Sequence, residues 1–132
     1  MLKILSDLLN NKVVFEFNVL TEFTYNNKFF STVLNNDYNE LQDISSNSLY
    51  ILNLKTFDLT NDNIINTITK LSNKDITLIL FNDKKNIIID KKISNIFIQY
   101  GNKLKISIIY IKSNKTVLEI TNLLLMQINQ SH

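Results

Sequence analysis

Residues 47–59 read NSLYILNLKTFDL, and the middle of that stretch decides the fold. From Leu49 to Leu54 the run LYILNL is apolar but for Asn53, where a strand with one wet face would alternate apolar and polar. A continuous apolar run bounded by polar residues reads as a strand buried on both faces, the pattern of a parallel sheet. Two more such runs follow, ITLILF at 76–81 and ISIIYI at 106–111. Between them the period becomes helical. Ile64, Ile68 and Leu71 share a face within 61–72. Ile93, Ile96, Phe97 and Tyr100 fall at i, i+3, i+4 and i+7 within 90–100, with Asp90 as N-cap and Gly101 as the C-terminal stop. TVLE at 116–119 is a capping-box pattern opening a last helix through Leu125 and Ile128. The order β-α-β-α-β-α predicts an α/β fold: a three-layer domain with a short, mainly parallel sheet and helices on both sheet faces.

Upstream the patterns are different. Leu2, Leu5 and Leu9 lie at i, i+3 and i+7, which predicts a short amphipathic helix. In VFEFNVLTEFTY (14–25), Phe15, Phe17, Val19, Thr21, Phe23 and Tyr25 alternate with Glu16, Asn18, Glu22 and Thr24, a half-buried strand. Asn26 and Asn27 both tolerate positive φ, so a turn into KFFSTVL (28–34) predicts an N-terminal β-hairpin. The chain reads as one domain over 1–132, with the N-terminal helix and hairpin at 1–34 and the α/β body at 47–130. NNDYNELQDISSNS (35–48) reads as a polar loop, and KNIII (85–89) as either a short edge strand or the run-in to a helix.

The composition narrows the functional classes. At 132 residues with 45% apolar content the chain can build a real core and is not a disordered tail. It holds no Ala, Arg, Pro, Cys or Trp and one Gly, against 21 Asn, 20 Ile and 14 Lys. Residues with GC-rich codons are depleted and those with AT-rich codons enriched, the mark of an extremely AT-biased genome such as that of an organelle, an endosymbiont or a wall-less bacterium. Lacking Cys, the chain forms no disulfide, thiol nucleophile or thiolate metal site. Its single His is the terminal His132. No apolar run approaches the roughly 20 residues that span a bilayer. MLKILSDLLNN is too short and too acidic for a signal or transit peptide, so an organelle-encoded protein acting where it is made is expected.

Catalytic constellations are not seen. No glycine-rich phosphate loop follows a strand, and no His stands ready to pair with a Ser. Asp37, Glu40 and Asp43 cluster in a polar stretch that suits a solvated loop better than a metal or acid–base site. No enzyme activity, metal, cofactor or small-molecule substrate is expected. The lysines say more. Residues 1–82 hold 6 Lys against 9 acids, and residues 83–132 hold 8 Lys against 3. In an open α/β sheet, ligands gather at the carboxyl ends of the strands, where helix N-termini also present amides to anions. Just past those ends stand Lys55 and Thr56, Lys84 and Lys85, and Lys112 and Lys115, a rim suited to phosphate backbones. The same lysines also serve as solubilising residues in AT-rich loops. Phe15, Phe17 and Phe23 are expected to face a protein partner, because so small a body cannot easily cover the whole hairpin.

One resemblance rests on these residues. NSLYILNLKT resembles the strand and turn of the bacterial-type small-ribosomal-subunit protein two family, whose pattern runs roughly N-G-I-H-I-I-D-L-x-K-T. Asn47, Ile51, Leu54, Lys55 and Thr56 match, with one residue dropped before Lys55, while Asn53 replaces the Asp and Ser48 the Gly. ITLILFNDKK is similar to the family's I-L-F-V-G-T-K strand, and LLNNKVVFEF to its L-L-x-x-G-V-H-F-G-H, with Leu8, Leu9, Val13 and Phe15 in place. The family's glycines and histidines, its G-G-x-L-T-N segment and its coiled-coil insertion have no counterpart here. The resemblance implies a reduced, mitochondrial-type constituent of a small ribosomal subunit, contacting rRNA and neighbouring proteins. The other class open to the sequence is a peripheral, non-catalytic assembly subunit of an organellar respiratory or other multiprotein complex.

Overall fold

The computed structural model describes residues 3–4, 16–21, 28–29, 31–35, 48–55, 57–72, 76–81, 91–112 and 115–129. Along the chain these form β1 (Lys3–Ile4), β2 (Glu16–Thr21), β3 (Lys28–Phe29), β4 (Ser31–Asn35), β5 (Ser48–Asn53), α1 (Asn61–Leu71), β6 (Thr77–Phe81), α2 (Lys91–Leu104), β7 (Ile108–Lys112) and α3 (Val117–Asn129). The three apolar runs are the three inner strands. One five-stranded sheet has the order β2-β7-β6-β5-β4; the pairs from β4 to β7 are parallel and β2 joins β7 antiparallel.

Both faces of the inner strands are dry. Tyr50, Leu52, Leu78, Leu80, Ile108 and Tyr110 point into one core with Ile64, Ile68 and Leu71 of α1 and Phe97 of α2. Leu49, Ile51, Ile79, Phe81, Ile109 and Ile111 point into the other, closed by Ile120 and Leu124 of α3. The α/β fold, its three layers and the mainly parallel sheet are therefore as the periodicities predict. Because β5, β6 and β7 lie side by side in chain order, crossovers of one hand put α1 and α2 on the same face, and only α3 covers the other.

The N-terminal region departs from the sequence reading. An antiparallel pair is present, but it joins Lys3 and Ile4 to Phe29 and Lys28, where a helix was expected to begin. The rest of the expected helix, from Leu5 to Leu9, lies outside the described residues. The strands expected to pair with each other as a hairpin take opposite edges of the large sheet, β2 beside β7 and β4 beside β5. The Asn26-Asn27 turn lies outside the described residues, as do 5–15, 36–47 and the ambiguous KNIII. In β2 the alternation breaks. Val19 faces Ile109 and Thr21 faces Ile108, so Leu20 and Thr21 together oppose one residue, a β-bulge. Past the bulge Thr21 swings to the α2 side, while Phe17 packs on the α3 side.

Gly101 also has another role than the expected helix stop. The helix continues to Leu104, and Gly101 lies buried inside it. A Cβ there would stand 2.7 Å from Ile108 Cδ1 and 3.1 Å from Thr21 Cγ2, so glycine lets α2 approach the β2–β7 edge closely. The stop falls to Lys105, at φ 58°, with the Ile106 amide donating to the Gly101 carbonyl at 2.9 Å. That is a Schellman closure with lysine in the left-handed position usually given to glycine. Thr21 completes the junction: its Oγ1 donates to the Ile106 carbonyl at 2.5 Å and accepts from the Ile108 amide at 3.0 Å.

Two stability predictions follow from this packing. Gly101→Ala gains about 1 kcal/mol of helix propensity but overpacks the contact with Ile108 and Thr21 at about 1–3 kcal/mol, so stability should fall by up to about 2 kcal/mol. Adding Ile108→Val removes the offending methyl group, so urea titrations of the double variant should show less than the sum of the two single losses. Thr77 is fully buried on the α3 side of β6, and its hydroxyl has no hydrogen-bond partner among the described residues. Thr77→Val keeps the shape and removes that hydroxyl. It should raise stability by about 1 kcal/mol, read as a higher urea midpoint at unchanged slope.

Candidate nucleic-acid interface

The parallel strands align their carboxyl ends, and that edge is where the sequence places its lysine rim. At the end of β5 the chain turns tightly. The Leu54 amide donates to the Phe81 carbonyl at 2.7 Å, the Lys55 amide to Asn53 Oδ1 at 3.1 Å, and the Phe57 amide to the Asn53 carbonyl at 3.2 Å. Asn53 is itself buried, so its side chain acts as a fixed bracket that presents Lys55 to solvent. At the end of β7, Lys112 is exposed and Lys115 half-buried just before α3. β5 and β7 flank β6, so these two ends lie about 10 Å apart, two interstrand spacings. Three of the predicted rim residues, Lys55, Lys112 and Lys115, thus share one edge; Thr56, Lys84 and Lys85 lie outside the described residues.

The helix ends at this edge are less open to anions than the sequence reading supposes. Thr60 Oγ1 accepts from the Asn63 amide at 3.4 Å and caps α1. Asp58 Oδ2 accepts from the Asn63 side chain at 3.1 Å. At α3 the capping box forms as TVLE predicts: Thr116 Oγ1 accepts from the Glu119 amide at 3.2 Å, and Glu119 Oε1 accepts from the Thr116 amide at 3.4 Å and hydroxyl at 3.1 Å. A carboxylate already occupies the place where a phosphate would meet those amides. Glu16 is the cross-strand partner of Lys112, and Asp62 sits in the first turn of α1. Among the described residues the edge therefore mixes both signs. What it offers an anion is lysine side chains on long stems rather than helix amides.

The aromatic residues divide. Phe17 is half-buried and packs on the core beneath α3, against its own chain. Phe15 and Phe23 lie outside the described residues. Among the described residues the large apolar side chains that reach solvent are Leu118 at 64%, Met126 at 54% and Val19 at 40% exposure. Leu118 and Met126 carry no periodic signal, because they belong to a helix that is apolar nearly all round, while Val19 lies on the face of β2 that the alternation reads as apolar and is nonetheless exposed. Among the described residues no group of three or more His, Cys, Asp or Glu side chains is placed to hold a metal ion. No helix among them is long and apolar enough to cross a membrane. Comparison with family models, curated proteins and solved structures gives no match to this chain.

Tyr110, two residues before the end of β7, faces the α1–α2 core with 6% of its surface exposed. Burial raises its phenol above the usual value. The folded state then holds that proton more tightly than the unfolded chain. Its contribution is intact below the unfolded phenol value near 10 and is lost as pH rises from there through the higher folded value. Chemical denaturation at stepped pH should show a steeper alkaline loss in the parent than in Tyr110→Phe. Parallel curves above pH of about 10 would mean that Tyr110 ionises as freely in the fold as in the unfolded chain.

Proposed function

We propose that this chain is a non-catalytic structural constituent of an organellar, mitochondrial-type small ribosomal subunit, contacting rRNA and neighbouring proteins. The observation that carries the reading is the alignment of β5 with β7, which brings Lys55, Lys112 and Lys115 to one edge from stretches more than fifty residues apart. Lysine ammonium groups need no fixed geometry to neutralise phosphates, and such contacts position a protein on RNA without reading its sequence. Two of the carboxylates at that edge, Asp58 and Glu119, are committed to local caps. The resemblance of NSLYILNLKT to a ribosomal strand and turn, and the AT-rich codon signature, support the same assembly and an organellar location.

A second reading has its own observation. Leu118 and Met126 lie outward on α3, a surface that suits a protein neighbour in a respiratory or other multiprotein complex without RNA. Sedimentation of the native protein separates the two. In the ribosomal reading it travels with the small-subunit fraction and is released by nuclease. Persistence in a large particle after nuclease treatment would transfer the protein to the second reading. In RNA titrations, Lys84→Gln with Lys85→Gln should weaken binding and lower the log–log salt slope by about one to two.

A further inference from the structure

Helix α2 carries a charge pattern unlike that of its neighbour. From Lys91 to Leu104 it holds three lysines and no carboxylate, and Lys105 follows at once. At about 100° per residue, Lys91, Asn102, Asn95, Gln99, Lys92 and Lys103 fall in that order within an arc of about 120°. All six are exposed. The opposite arc carries Ile93, Ile96, Phe97, Tyr100, Gly101 and Leu104, consumed by packing on α1 and the sheet. The outer face is therefore built from amines and amides alone. Helix α1, in the same layer, carries both signs, with Asp62 in its first turn and Lys70 in its last.

Ordinary solubility does not account for the pattern. A helix face that serves only solubility gains from interspersed acids, through i,i+4 pairs and through the dipole. Here Lys91 and Lys92 stand in the first turn, where the helix dipole opposes cations, and that turn carries no acid of its own; Asp90, the expected N-cap before it, lies outside the described residues. Lys103 is held 5.8 Å above the Tyr100 ring, which orders a stem that would otherwise swing freely. From Lys91 to Lys103 the stripe runs about 18 Å along the axis. Between the lysines, Asn95, Gln99 and Asn102 supply donors and acceptors suited to phosphate oxygens and ribose hydroxyls. An anionic bilayer would call for apolar side chains among the lysines, and this face has none.

We infer that the outer face of α2 is a contact surface for the RNA phosphate backbone. The inference rests on the RNA-bound reading above and locates a contact on a surface other than the carboxyl edge. The test uses the full chain, a short RNA hairpin of arbitrary sequence and the same hairpin as DNA, titrated across a series of salt concentrations. Lys91→Gln, Lys92→Gln and Lys103→Gln combined should lower the log–log salt slope by about two to three, and the three Lys→Arg changes should restore it. Circular dichroism of the Gln variant should match the parent and its urea midpoint should fall only slightly, because all three side chains are exposed and the Lys103–Tyr100 contact is a weak one. The variant Lys55→Gln with Lys112→Gln reports on the carboxyl edge alone. If the parent binds RNA and the α2 variant keeps its full affinity and slope, α2 is not the contact, while the ribosomal reading stands. If the parent binds neither hairpin at low salt, both fall. If the parent instead binds vesicles of phosphatidylserine, and the α2 variant loses that binding, the face belongs to a membrane surface and the RNA assignment is overturned.

Discussion

Strand β6 has to be dry on both faces, and most of the architecture follows from that requirement. All five of its residues are buried, Leu78 and Leu80 toward one layer and Thr77, Ile79 and Phe81 toward the other. A backbone without water on either face must find its hydrogen bonds at its two edges, so β5 and β7 are obligatory neighbours. Those strands are nearly as dry, and they need β4 and β2 in turn. Placing consecutive strands side by side sends α1 and α2 to the same face and leaves α3 to close the other alone. One helix doing the work of two must be apolar over most of its surface. Between Ile120 and Met126 it carries no charge, it reaches from the end of β7 to β4, and Leu118 and Met126 are left facing outward.

The antiparallel edge obeys a tighter constraint. At the Thr21–Ile108 end of the β2–β7 pair α2 lies close against both strands, and that approach exists because residue 101 has no side chain. The bulge at Leu20 and Thr21 turns a hydroxyl into the gap, where it satisfies the Ile106 carbonyl and the Ile108 amide just before and at the start of β7. A threonine makes two ladder-like bonds at the point where the regular ladder fails. The glycine, the bulge and the threonine form one structural unit, and the strain of lysine at φ 58° in the helix stop is borne beside it.

The legible parts of the sequence were those in which one local pattern had one physical cause. LYILNL, ITLILF and ISIIYI lie between two helical layers, and burial on both faces leaves no alternative to a continuous apolar run. The helices at 61–71 and 117–129 start at Thr60 and Thr116, whose hydroxyls cap them as their types predict. Gly101 misled because glycine has two uses, ending a helix and thinning it, and only the position of Ile108 and Thr21 separates them. A helix ending at 101 leaves Lys103 off the stripe, so the α2 face exists only because the helix runs on to Leu104. The Asn26-Asn27 turn signal predicted a hairpin, yet β2 and β4 have a larger reason to part: each closes an otherwise bare edge of a dry sheet. At the candidate interface the strand-end lysines were legible from topology alone. That Glu119 would occupy the α3 amides was implicit in TVLE, but its consequence for anions depends on the box forming with the carboxylate inward.

Strand order also converts a sequence asymmetry into a spatial one. Where parallel strands are shuffled about a switch point, charge that varies along the chain is scattered across the sheet. Here β4, β5, β6 and β7 stand in chain order, so position along the sequence becomes position across the sheet. The acid-rich part, 9 acids against 6 Lys through residue 82, supplies β4, β5 and α1; the lysine-rich part, 8 Lys against 3 acids from residue 83, supplies α2, β7 and α3. The exception is β2, which brings Glu16 back beside Lys112. Helix α2 runs antiparallel to its strands, so Lys91 and Lys92 begin at the carboxyl edge and Lys103 lies toward the other end. The edge lysines of β7 and the stripe on α2 therefore adjoin around one corner of the lysine-rich side. A polyanion lying along α2 meets the lysine stripe and reaches an acid, Glu16 beside Lys112, only past the corner, while one approaching from β4 and α1 meets Asp58 and Asp62 first. A net charge of only +2 conceals this polarity, which would orient the domain on its partner as much as hold it there.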